Sequence, residues 1–131
     1  MNQLTTGNAV FDDRSPIYQQ IAERIKDEIL SGALEEGHQV MSTNQYAAFY
    51  RINPATAAKG FHQLVEEGIL HKRRGIGMFV SQGAKQRLLS QRRERFFADL
   101  VDPMVAQAKL LGIPLADVIT RIERSGDSHG T

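Results

Sequence analysis

The sequence predicts a mainly α fold with one small β-hairpin, and three observations carry that expectation. Ile17, Ile21, Ile25 and Ile29 recur every four residues, which draws an apolar stripe along one side of a helix. Two start signals, Ser42 and Asn53-Pro54, open two short helices that meet around residues 50 to 53. Finally, 69 to 72 and 78 to 81 read as two short strands around a loop that contains Gly75 and Gly77.

Composition bounds the rest. A chain of 131 residues, 41% hydrophobic and 24% charged, is one compact domain or a domain with a small appendage. Cysteine is absent, which excludes a disulfide-stapled domain and a cysteine-rich zinc site. No run approaches the roughly 20 apolar residues that span a bilayer, and Met1 to Asp13 lack the order of a secretory signal. The expectation is a cytoplasmic protein without membrane attachment. The net charge of +1 is uninformative, but its distribution is uneven. Between His38 and Gln82, Arg51, Lys59, Lys72, Arg73 and Arg74 face only Glu66 and Glu67. A basic stretch of this kind fits nucleic-acid binding and equally fits a solvated face.

Taken in order, residues 1–14 are polar and aperiodic and read as a mobile tail. Ser15 caps the first helix and Pro16 takes its first position, while Gly32 stops it. Val40 is an apolar anchor. A helix from 43 to about 49 turns Tyr46, Ala47 and Tyr50 inward. The next, from 54 to about 67, buries Ala57, Gly60, Phe61, Leu64 and Val65 and leaves Ala55, Thr56, Ala58, Lys59, His62 and Gln63 on the other side. This spacing is that of a helix-turn-helix, and a basic hairpin directly after it is a wing. Residues 15–82 thus form a winged helix-turn-helix. A helical region follows over 83–124. Its first segment runs from about 85 to 111, where Asp102-Pro103 either caps a new helix or kinks a continuous one. A last helix runs from 114 to about 124, and 125–131 read as a disordered tail.

The pieces PIYQQIAERIKDEILSGALEEG, NPATAAKGFHQLVEEGIL and RRGIGMFVS stand in the order and spacing of the GntR family of bacterial transcription regulators, which this stretch resembles. The short helical C-terminal part is similar to the YtrA-like subfamily, in which two helices dimerise in place of a large effector-binding domain. The resemblance implies a DNA-binding regulator, most often a repressor. The chain departs from the family pattern at three places. Val40-Met41-Ser42-Thr43-Asn44 replaces Leu-Pro-Ser-Glu-Arg, Ala58 stands where arginine is frequent, and Ile76 occupies a polar or basic wing-tip position.

DNA binding needs cations and N–H groups for phosphates, and side chains that fit a groove. The candidates at the start of the second helix are Ser42, Thr43 and Asn44. On the third helix they are Asn53, Ala55, Thr56, Lys59 and His62, with the helix N-terminus expected to offer four free N–H groups. On the wing they are Arg73, Arg74, Gly75 and Gly77, and strand alternation sets the two arginines on opposite faces. Each has a plainer alternative: a cap for Ser42 and Asn53, a solvated cation for Lys59 and the arginines.

In the C-terminal part, Phe97, Val101, Met104, Ala108 and Leu111 are spaced like a heptad seam, with Leu100 beside it. Leu115, Val118, Ile119 and Ile122 make one face of the last helix. Both are expected to build a homodimer interface, the alternative being packing within one chain. The expected partners are double-stranded DNA, a second copy of the chain and a small-molecule effector of unread identity. The chain carries no sign of a cofactor, a metal site or an enzyme: His38, His62, His71 and His129 are scattered, and no phosphate loop or nucleophile elbow is present. A winged helix used only to bind another protein is the second reading.

Overall fold

The computed structural model describes residues 10–128. Six α-helices and one hairpin follow in the order α1 (Ile17–Ser31), α2 (Thr43–Tyr50), α3 (Pro54–Glu66), β1 (Leu70–Arg73), β2 (Gly77–Val80), α4 (Ala84–Phe96), α5 (Asp102–Leu110) and α6 (Leu115–Ser128). A π-helical turn, Phe97–Val101, joins α4 to α5. The chain divides into two compact units, the first ending at Leu89 and the second beginning at Ser90.

The first unit is the winged helix. Ile21, Ile25 and Ile29 of α1 are buried, and they share one core with Ala57, Phe61 and Leu64 of α3 and with Leu70 and Val80 of the hairpin. Removing this much apolar surface from water supplies the main stabilising term. Tyr46 of α2 meets Phe61 edge to face, with ring centroids 5.3 Å apart, and so ties α2 to the same core. Lys26 of α1 is 5% exposed, and its Nζ lies 2.8 Å from Glu67 Oε1 at the end of α3. The contact of α1 with α3 is close because Gly60 has no side chain. A Cβ there would lie 2.8 Å from the Tyr18 carbonyl oxygen.

Several boundaries differ from the sequence reading. The cap of α1 is Pro16, with extended ψ of 140°, and Ser15 makes no cap bond. The Pro16 carbonyl instead receives the N–H groups of Gln19 and Gln20. Residues 10–14 are not a free tail: Phe11 packs against the core, and the Gln20 side chain bonds both the N–H and the carbonyl of Asp12. The expected tail over 1–9 lies outside the described residues. The hairpin has a third backbone partner, because residues 37–40 bond to β2 through Val40 N–H to Met78 O and Val80 N–H to His38 O, both 2.9 Å.

The winged unit also extends past 82. Ala84 and Leu88 of α4 are buried in its core, and the Glu36 carboxylate accepts the N–H groups of Gly83 and Lys85 at 3.0 and 3.1 Å. Glu36 is therefore the cap of α4, supplied from 47 residues upstream. Those two bonds hold its carboxyl below the ordinary carboxylate range.

In the second unit Asp102 caps nothing. The helical backbone continues through Pro103, and Asp102 N–H bonds back to the Phe97 carbonyl across the wider π turn. The last helix reaches Ser128, so the expected disorder over 125–128 is not found, and 129–131, including His129, lie outside the described residues. Among the described residues no helix is long and apolar enough to cross a membrane.

Candidate nucleic-acid interface

The exposed side of α3 is the residue set left over when its apolar stripe faces α1. Ala55, Ala58, Lys59 and His62 are exposed, whereas Ala57, Gly60, Phe61 and Leu64 are buried. Lys59 Nζ sits 4.1 Å from the centre of the Tyr18 ring, a cation–π contact that orients the ammonium without neutralising it. Thr56 is half-buried beside Ile17, Tyr18 and Ile52. His62 lies 3.5 Å from Glu66, one turn on, so the acidic end of the stripe is the C-terminal one.

The helix start offers less to a phosphate than expected. Pro54 has no N–H, the Asn53 side chain takes that of Ala55 at 2.7 Å, and Ala57 N–H bonds the Asn53 carbonyl. The N–H groups of Asn53 and Thr56 are left without a partner among the described residues, in place of the four expected. Asn53 is a helix cap, with its side-chain oxygen committed.

The start of α2 compensates. Ser42 and Gln45 form a capping box, in which Ser42 Oγ accepts the Gln45 N–H at 3.1 Å and Gln45 Oε1 accepts the Ser42 N–H at 2.9 Å. The Ser42 hydroxyl is thereby engaged. The N–H groups of Thr43 and Asn44 keep no partner among the described residues, and Asn44 is exposed. Arg51 closes α2 in the left-handed conformation, at φ 56°, with its side chain exposed and in no ion pair with a described residue.

On the wing, Arg73 pairs with Gly77 across the hairpin, and the loop is Arg74, Gly75 and Ile76. Strand alternation therefore stops at Arg73, and Arg74 belongs to the tip. The Arg73 guanidinium lies 4.9 Å from the centre of the Phe79 ring, against which His71 also stacks at 6.0 Å. Arg74 is exposed and bonds no described residue. The tip is strapped to the segment before α2, where Gln39 Nε2 donates to the Ile76 carbonyl at 2.9 Å.

All these groups belong to the first unit. Sequence reasoning missed three residues that aim the cations: Tyr18 under Lys59, Phe79 under Arg73, and Gln39 behind the tip. Each contact joins positions far apart in the chain, and only the hairpin alternation that places Arg73 and His71 on one face hinted at Phe79.

The expected dimerisation residues lie in the second unit. Ala108 is buried, and Val101 and Val118 are half-buried. Phe97, Leu100, Met104 and Leu111 are exposed, as are Leu115, Ile119 and Ile122 of α6.

A helix-turn-helix with an exposed second helix, followed by a strapped cationic wing, defines a winged-helix transcription regulator of the DNA-binding class. The chain belongs to the GntR family of bacterial regulatory proteins, whose family model matches residues 17–80. It is similar to the HTH-type transcriptional repressor YtrA of Bacillus subtilis (strain 168), at 30% identity over 79% of this chain and 81% of that protein. The fold is similar to the crystal structure of a GntR-family transcriptional regulator from Bacteroides thetaiotaomicron, with 32% identity, a TM-score of 0.75, and coverage of 87% of this chain and 99% of that one. It is also similar to AraR(DBD) in complex with operator ORX1, at 25% identity and a TM-score of 0.51 over 54% of this chain and 92% of that one. The family and these relatives are regulators of transcription and not enzymes.

Proposed function

We propose that the protein is a homodimeric repressor that occupies an inverted-repeat operator, with α3 in the major groove and the wing beside it. The observation that carries the reading is the partition of the first unit's side chains. Ala55, Ala58 and Lys59 form an open stripe on α3, with no acid until Glu66, and the wing tip presents Arg74, which pairs with no described residue. Small alanines allow close approach to base edges and to thymine methyl groups, while the cations neutralise phosphates.

The homodimer is supported by the second unit. Phe97, Leu100, Leu111 and Ile119 are each more than half exposed, which a stable monomer rarely tolerates over so short a segment. A twofold dimer would place two α3 helices on successive major-groove faces and favour a near-palindromic site. A small-molecule effector would release the operator by favouring a different spacing of those helices, which requires unequal affinity for the two arrangements.

The test is selection of bound duplexes from a randomised library by the full chain, followed by sedimentation of the complex. Enrichment of an inverted repeat carrying two chains supports the reading. An empty selection sinks it and favours a winged helix that binds a protein partner, a reading also consistent with Asn44 and Ala58 standing where arginine is frequent.

A further inference from the structure

Part of the wing tip's polar backbone is committed within the fold. Ile76 N–H bonds the Arg73 carbonyl at 2.9 Å, and the Ile76 carbonyl accepts from Gln39. Gly77, at φ 144°, leaves room for that strap, since a Cβ at this position would collide with Gln39 Nε2. The side chains that remain at the tip are one cation, Arg74, and one apolar group, Ile76, which is 56% exposed. A β-branched side chain on a strapped loop is stiff, so ordering it against a surface costs little entropy.

The surface that suits this pair is a minor groove of A·T pairs. The floor of that groove lacks the guanine N2 amino group, and A·T tracts narrow the groove and deepen its negative potential. Under an apolar side chain a guanine amino group would lose its water without gaining an acceptor, which is unfavourable. We propose that Ile76 is a specificity-determining residue that packs on the minor-groove floor at A·T pairs, and that Gln39 is a positioning residue that fixes the tip for it. This rests on the DNA-binding reading above and adds which base pairs the wing accepts.

Inosine separates the two grooves. An inosine·cytosine pair presents a minor groove without the N2 amino group but the major-groove pattern of G·C. The probe is the duplex selected by the full chain, with the wing positions taken as those whose minor-groove protection from hydroxyl radicals is lost in Arg74→Ala. At those positions G·C should weaken binding about tenfold, within the usual range for one mismatched pair, and inosine·cytosine should bind like A·T. Ile76→Ala, at an exposed position, keeps the fold and should reduce the G·C penalty to about threefold or less. Gln39→Ala should do the same while binding at the α3 positions keeps its base preference. Equal penalties for G·C and inosine·cytosine, or an unchanged penalty in Ile76→Ala, would overturn the assignment while leaving DNA binding intact. A selection that enriches no duplex would overturn both.

Discussion

Gly60→Ala probes the packing that positions the recognition helix. The new Cβ would lie 2.8 Å from the Tyr18 carbonyl oxygen and 3.1 Å from both Cβ and Cγ2 of Ile21. The oxygen is main chain within α1, so relief requires α3 to move away from α1. Overpacking of this kind costs about 1–3 kcal/mol, whereas alanine gains about 1 kcal/mol over glycine in a helix interior. Because the closest atom cannot rotate aside, the steric cost should fall in the upper part of that range, about 2–3 kcal/mol, leaving a net loss of about 1–2 kcal/mol. At about 4–8 °C per kcal/mol for a domain of this size, the melting temperature should fall by about 5–15 °C. Thermal unfolding followed by circular dichroism measures it. Ala58→Gly, on the open side of the same helix, calibrates the propensity term alone. An unchanged or raised melting temperature in Gly60→Ala would refute the close contact of α1 with α3. The same displacement would carry Lys59 away from Tyr18, so DNA affinity should drop even at temperatures where the variant is folded.

Three further substitutions follow from ionic contacts. Glu67→Ala should cost about 2–3 kcal/mol in urea unfolding, because it leaves Lys26 buried with only Glu23, at 3.4 Å. Lys26→Met should also cost about 2–3 kcal/mol, because the Glu67 Oε1 that faces Lys26 is shielded from solvent and would lose its cation; a loss under about 1 kcal/mol in both variants would argue against a buried pair. Glu36, with its pKa held below the ordinary 4.5 by the N–H groups of Gly83 and Lys85, stabilises the fold when charged. That contribution is complete above the unfolded pKa and disappears as pH falls through the lower folded value. Glu36→Gln should thus be less stable than the wild type at pH 7, with the gap closing in acid; a gap independent of pH would contradict the cap.

The winged unit was legible in the sequence where local signals agree. The four-residue spacing of isoleucine, the Ser42 and Asn53 caps and the paired glycines of the hairpin each encode one element within a few residues. The errors are contacts made at a distance. Glu36 caps α4 from far upstream, so a break placed at 82 cuts through a packed unit. Phe11 is held by Tyr50, with ring centroids 5.7 Å apart, and nothing nearby in sequence announces it. At Pro103 periodicity could not separate a cap from a kink, because the π turn absorbs the missing N–H while the helix continues. For the site, residue types pointed to the right elements, but Asn53 and Ser42 proved to be committed to caps. The rings that hold Lys59 and Arg73 needed the fold.

The most direct test of the central claim is the salt dependence of binding to the selected operator, measured by fluorescence anisotropy for the wild type and Lys59→Ala. Each neutralised phosphate contributes about 0.9 to the slope of log affinity against log salt, so two copies of Lys59 contribute roughly 1.8. A dimer that holds DNA through α3 should give two chains per duplex, a steep slope in the wild type, and a slope shallower by that amount in the variant. A flat slope, or one that Lys59→Ala leaves unchanged, would contradict a dimer that holds DNA through the open face of α3.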